Sequence, residues 1–358
     1  MAEMDQQRRS CSAKRVPAAA VRLTARMACL VLLHATIDAR AADEPWPAFR
    51  NHNPFLQIFG LPAFEAAPSA AIGETKYDIA LDVANHADSG STGTEAATLD
   101  GESHFLTLAL RHRIATRLVL GIDIPFVSHS GGILDGPIEN WHDIWGLSNS
   151  QRRGPRDQLA IRYENPGLTT YTLNTSSKGL GDIRLNASLL SSNPRNRTSR
   201  QFGVRAGVKL PSGDAEQLTG SGAVDYSLGL YVSDPGFISR IDLDLSATVG
   251  VLFLGQGDVL PEIQRETVAF GGFAAAWHPT NRLDVALALY AQSAYYDSEL
   301  DEIGGNSVQV SVGALYELPW SGMSLSVSLI EDLFDNATTD FAFQVAVRGT
   351  LHRRGRLQ

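Results

Sequence analysis

From Glu74 onward apolar and polar side chains alternate with a period of two, and no feature of this sequence constrains its fold more. In an extended strand, neighbouring side chains point to opposite faces, so alternation gives one apolar and one polar face. In residues 75–83, Thr75, Tyr77, Ile79, Leu81 and Val83 share one face, and Lys76, Asp78, Ala80 and Asp82 the other. The same pattern recurs over residues 104–110, 118–126, 182–190, 202–208, 224–232, 241–253, 283–291, 308–316, 325–329 and 341–351. Residues 267–277 make a further candidate whose facing the pattern leaves open, which brings the expected strands to twelve. The run over 241–253 is longer than a usual globular strand of roughly 5 to 6 residues. It suits a tilted membrane strand, whose span takes roughly 9 to 11.

The connections fall into two alternating classes. Short turns are expected at 112–116, 192–199, 233–239, 278–281 and 317–322, and longer polar loops at 85–101, 128–179, 211–222, 255–266, 293–307 and 331–340. Short turns at one end, long loops at the other and an even strand count are the marks of outer-membrane barrels with both ends in the periplasm. A closed barrel also pairs every ladder hydrogen bond within lipid, which an open sheet cannot do. The expected fold is therefore all-β, a closed antiparallel transmembrane barrel of about twelve strands. A soluble periplasmic β-sandwich would alternate too, but strand length and the many Gly, Ala and Ser residues on the polar face favour a cramped, enclosed interior.

The first forty residues fit export. Met27 to Ile37 form an apolar run too short to span a bilayer as a helix, which needs roughly 20 residues. Arg8, Arg9, Lys14, Arg15, Arg22 and Arg26 precede the run, and Ala39-Arg40-Ala41 follows as a small-x-small cleavage site, so residues 1–41 read as a signal peptide. Both cysteines, Cys11 and Cys29, lie within it, which removes disulfide and thiol chemistry from the mature chain. Residues 1–41 carry seven basic and three acidic side chains, so the remainder holds 23 against 36, a charge of −13. So acidic a chain is a poor partner for nucleic acid. The expected partners are outer-membrane lipid and lipopolysaccharide, the barrel-assembly machinery and a small solute of unknown identity.

Several short motifs together resemble an uncharacterised bacterial family, domain of unknown function 3187. They are Asn53-Pro54-Phe55 with Phe59-Gly60-Leu61-Pro62, Gly179-Leu180-Gly181-Asp182, the stretch from Val208 through Asp214, Leu218-Thr219-Gly220-Ser221-Gly222, and Glu331-Asp332-Leu333. The similarity runs from about Asn51 to Leu351. It implies an outer-membrane barrel and lends neither an activity nor functional residues. The chain departs from the usual barrel ending, since it continues past Leu351 into a basic tail, 352–358, instead of stopping at an aromatic residue.

Residues 42–73 precede the barrel (74–351) and show no strand pattern, yet contain Phe49, Phe55, Phe59 and Phe64. Four rings are expected to act as a small plug in the lumen, packing against its Gly and Ala lining; the alternative is a periplasmic lead-in. Within the loop 128–179, Leu134, Ile138, Trp141 and Trp145 recur at helical spacing, which suggests a short helix capping the outer mouth, lying at the membrane surface or packed on the rim. Residues 158–163 and 169–173 follow as a hairpin.

Lumen-lining charges are expected at Lys76, Asp78, Arg117, Asp123, Arg184, Arg205, Asp225, Asp242, Asp244, Asp284 and Arg348, with Arg111, Lys209, Asp82 and Asp182 beside them. Their near balance points to an interior ladder of ion pairs, with a porin-like constriction as the alternative. No Gly-x-Ser-x-Gly elbow, His-Glu-x-x-His pair or phosphate-binding loop occurs, so the chain reads as a non-enzyme without a cofactor. The leading expectation is a passive channel or transporter for small solutes. A non-conducting structural or surface-interaction barrel is the alternative, and an outer-membrane lipid enzyme comes third.

Overall fold

The computed structural model describes residues 48–145, 156–191, 200–319, 321–333 and 337–351. The expected signal peptide with its cleavage site, the 192–199 turn and the 352–358 tail lie outside the described residues.

The barrel strands are β1 (Thr75–Ser91), β2 (Ala96–Ala115), β3 (Leu118–Ser130), β6 (Ser177–Leu180), β7 (Arg184–Leu190), β8 (Gln201–Lys209), β9 (Asp225–Ile238), β10 (Leu243–Phe253), β11 (Thr267–Thr280), β12 (Leu283–Gln292), β13 (Ser307–Leu318), β14 (Met323–Asp332) and β15 (Phe341–Leu351). Each pairs antiparallel with its sequence neighbour in the wall, and β1 pairs with β15 from Thr75 opposite Leu351 to Asn85 opposite Phe341, which closes the ring. Residues 126–129 of β3 pair with β6 and 118–123 with β7, so those two short strands complete one wall position and the barrel has twelve. Pro125 faces the interruption between them, where Gly181 N–H donates to its carbonyl at 2.8 Å. Having no N–H itself, proline cannot carry an unbroken ladder.

Alternation settles which face is which. Leu189, Leu230 and Val249 are 55, 58 and 60% exposed on the outer surface, with Ile79, Leu81, Leu106, Leu228, Leu287 and Leu329 in the same belt. Soluble proteins rarely expose contiguous apolar patches beyond a few hundred Å². Tyr77, Phe202, Trp277 and Tyr316 face outward near the turn end, and Phe126, Tyr226, Phe253 and Phe341 near the loop end. Two aromatic girdles flanking an apolar band match the interfaces of a membrane barrel. On β11, whose facing the sequence leaves open, Val268, Phe270, Ala274 and Ala276 are buried inward and Phe273 and Trp277 point out. No helix among the described residues is long and apolar enough to cross a membrane.

Two boundaries differ from expectation, while the long loop holds the helix and hairpin expected of it. The stretch 85–101 is not a loop, because β1 and β2 remain paired up to Ser91 opposite Ala96 and leave a turn of residues 92–95. Above the lipid a strand needs no apolar face, so polar composition there is no sign of a loop. β9 runs on to Ile238, and residues 239–241 form a 3-10 turn before β10 begins at Leu243. The long loop holds a helix, α1 (Asp135–Trp145), and the hairpin β4 (Ala160–Glu164) and β5 (Tyr171–Leu173), with β4 paired to the upper part of β2.

Candidate functional site

The N-terminal segment, residues 48–70, occupies the interior. It rises to a turn at residues 54–59 and returns, with Phe49 and Phe64 bridged antiparallel across it. Phe49, Phe55, Phe59 and Phe64 are all buried. Phe49 and Phe64 meet the Tyr290 ring edge-on at 5.9 Å, and Phe59 stacks on Tyr295 at 5.3 Å. The wall is shaped for this contact. A Cβ at Gly272 would lie 2.6 Å from the Phe64 ring and 2.8 Å from Tyr290, and one at Gly60 would lie 2.9 Å from Cβ of Asp225. Burying an aromatic side chain contributes roughly 1.5–3 kcal/mol, so the rings supply much of what holds the segment.

Polar contacts reach inward-facing residues around the barrel. Gln344 donates to Ala48 O at 2.9 Å, Asn51 to Ala337 O at 2.8 Å, Tyr290 Oη to Pro62 O at 2.7 Å and Arg205 to Ala66 O at 3.1 Å. At the turn end Arg113 donates to Ala70 O at 3.0 Å.

Ionic groups cluster where the segment meets β2, β3, β7 and β8. Arg111 binds Glu65 and, at 2.6 Å, Asp123, while Arg205 lies 3.5 Å from Glu65 and Arg50 lies 3.5 Å from Asp123. Burial alone would raise the Glu65 carboxyl, but Arg111 and Arg205 more than offset that and hold it below its ordinary range. Higher up, Lys209 Nζ is buried between Asp182 at 2.7 Å and Asp225 at 3.1 Å, and donates to Ile58 O at 3.0 Å. Asp225 in turn accepts Gly60 N–H at 2.7 Å and Gly255 N–H at 3.0 Å. A buried charge is tolerated when it is paired and hydrogen-bonded in this way.

The expected lumen charges divide. Asp123, Arg184, Arg205 and Asp225 meet the segment or its partners. Asp78 pairs with Arg348 at 2.6 Å, Lys76 donates to Ser69, and Asp244 and Asp284 both approach His278. Arg117 and Asp242 do not line the lumen: both are exposed in turns, Asp242 with a left-handed φ of 48°. Alternation extrapolated past a strand's end fails because a turn resets the facing. The reading missed Arg50, His52 and Glu65, which sit in a segment without periodicity; His52 Nε2 is 3.3 Å from Asp82 and its ring stacks on Phe105 at 4.4 Å. Charged residues among four aromatic ones were the available signal.

Two small voids border the segment: one of about 40 Å³ runs between it and β1–β3, and another of about 30 Å³ lies toward β7–β8. Each has room for a few waters.

A family model described as a protein of unknown function, DUF3187, matches residues 23–349. The chain belongs to that family. No curated protein matches it in sequence. Among solved structures, an outer membrane channel from Pseudomonas putida F1 is similar over 80% of this chain and 97% of its own, at 12% identity and a TM-score of 0.54. That likeness is one of fold. The NanC porin, at 8% identity over 77% of this chain and all of its own, has a TM-score of 0.44, too low to add to it. The DUF3187 chain described here is thus a closed barrel of the outer-membrane type.

Proposed function

We propose that this protein is a passive channel for small solutes in the outer membrane of a Gram-negative bacterium, closed at rest by residues 48–70. The observation that carries the reading is the way the lumen is filled. A separate segment occupies it, held by buried rings, ion pairs and individual hydrogen bonds worth about 1 kcal/mol net each, where wall side chains alone could have filled it permanently. Both ends of the barrel lie on the short-turn side, which supports entry of the segment from the periplasm with the long loops outside. The channel from Pseudomonas putida supports the reading by its similar fold. Lipopolysaccharide around the loop-end girdle and the assembly machinery at the last strand are the partners such a barrel requires.

Planar-bilayer recording of refolded mature protein, with and without residues 45–71, tests the proposal. The truncated barrel is expected to conduct steadily and the full one to open rarely. Silence from both would leave the second reading, a non-conducting structural or surface-interaction barrel, which the segment's many contacts with the wall favour. Release of fatty acid from lipid by the same preparation would point instead to a lipid enzyme.

A further inference from the structure

The ionic cluster beside the N-terminal segment is unevenly matched. Four guanidinium groups, Arg50, Arg111, Arg184 and Arg205, share two carboxylates, Glu65 and Asp123, and three of the four take part in the ion pairs. Arg184 is the fourth. It is buried, and among the described residues no carboxylate lies within ion-pair distance of it. One terminal nitrogen donates to the carbonyls of Gln57 at 3.0 Å and Phe59 at 3.1 Å, while its Nε–H has no hydrogen-bond partner. The nearby Asp182 and Asp225 are already engaged by Lys209 and by backbone N–H groups, and with these three counted in, five cations face four carboxylates, an excess of one positive charge.

Carbonyl oxygens solvate a cation but do not neutralise it, and an unmatched buried charge costs several kcal/mol. The void between the segment and β1–β3 is also lined by Asp78 and Asp82, so its carboxylates match its cations; the one toward β7–β8 brings Arg111, Arg184, Arg205 and Lys209 against Glu65 and Asp123. The volume of that void, about 30 Å³, suits a halide or the carboxylate head of a small acid. An excess of guanidinium donors in a water-poor site selects negative charge, and the planar fork of Arg matches a carboxylate in particular.

We propose that Arg184, with Arg111 and Arg205, binds one small monovalent anion, supplied either as a free halide or as the carboxylate head of a small organic acid. Its role as a solute site rests on the channel reading, which it deepens by making the preferred solutes anionic; the binding itself does not depend on conduction. A carboxylate held there also competes with Glu65 for Arg111 and Arg205, which links solute arrival to the hold on the segment.

Bromide is the probe. Halide-NMR line broadening by full-length mature protein in detergent at fixed ionic strength is expected to saturate. Arg184→Met is expected to weaken that binding at least tenfold and Arg184→Lys to restore part of it. Acetate is expected to displace bromide and acetamide is not; bromide that acetate cannot displace would overturn the carboxylate assignment. Heat-modifiable migration checks that each variant folds. Should neither fold, anomalous scattering from bromide-soaked wild-type crystals decides: a peak at Arg184 supports the site, and no peak there overturns it. Non-saturable broadening, or affinity unchanged in Arg184→Met, overturns it as well. None of these readouts uses conductance, so a silent bilayer would remove the channel reading and leave the anion site standing.

Discussion

Along β9 the two faces of one strand live in different solvents. Tyr226, Leu228 and Leu230 look outward and are 56, 49 and 58% exposed, while Asp225, Ser227, Gly229 and Tyr231 look inward onto the N-terminal segment and its neighbours. The outward face is uniform and tolerant, since hydrocarbon asks only for apolarity. The inward face is particular: Asp225 accepts two backbone N–H groups and pairs with Lys209, and Tyr231 carries the Arg205 guanidinium 5.2 Å above its ring. Substitutions should therefore act by polarity alone outside and by partner identity inside.

The inner face should yield the largest effect. Lys209→Met leaves Asp182 and Asp225 buried without their cation and is expected to cost about 3–5 kcal/mol, read as a fall in unfolding midpoint in detergent or lipid. Adding Asp225→Asn should recover part of the loss; no loss in the single variant would break the contrast. On the outer face, Leu230→Arg near the bilayer midplane is expected to cost about 2–4 kcal/mol, whereas Leu230→Ile stays near neutral, measured by the same denaturation. If Leu230→Arg were silent, Leu230 would not be facing lipid.

A smaller effect sharpens the inner side. The Glu65 carboxyl is held below its ordinary range once the pull of Arg111 and Arg205 outweighs its burial, so the segment gains from ionised Glu65 above the unfolded-state value. That gain is lost as the pH falls through the lower folded-state value. Protease protection of residues 48–70 should accordingly weaken at strongly acid pH in the wild type. In Glu65→Gln it should be weaker at neutral pH and change less on acidification; the same acid response in both would remove Glu65 as the cause.

What could be read from sequence follows the same division. The outer face was legible because lipid imposes one rule on every strand, and the alternating short and long connections fixed the strand count. The four rings of the N-terminal segment stood out because free tails seldom carry them. Arg50 and Glu65 were not legible as partners of Asp123 and Arg111, since pairing inside the barrel depends on a path with no period. The polar upper halves of β1 and β2 resembled a loop for a related reason: beyond the lipid, hydrogen bonding alone defines a strand.

The claim beneath the rest is that the apolar stripe meets hydrocarbon while the polar stripe is sealed inside. Residues 42–358 contain no cysteine, so single nitroxide labels can be placed at Tyr226, Ser227, Leu228 and Leu230 of β9 without background. In lipid bilayers, labels at 226, 228 and 230 should collide readily with oxygen and hardly with a water-soluble nickel chelate, and the label at 227 with neither. Strong nickel collision at 228 and 230 would contradict the account.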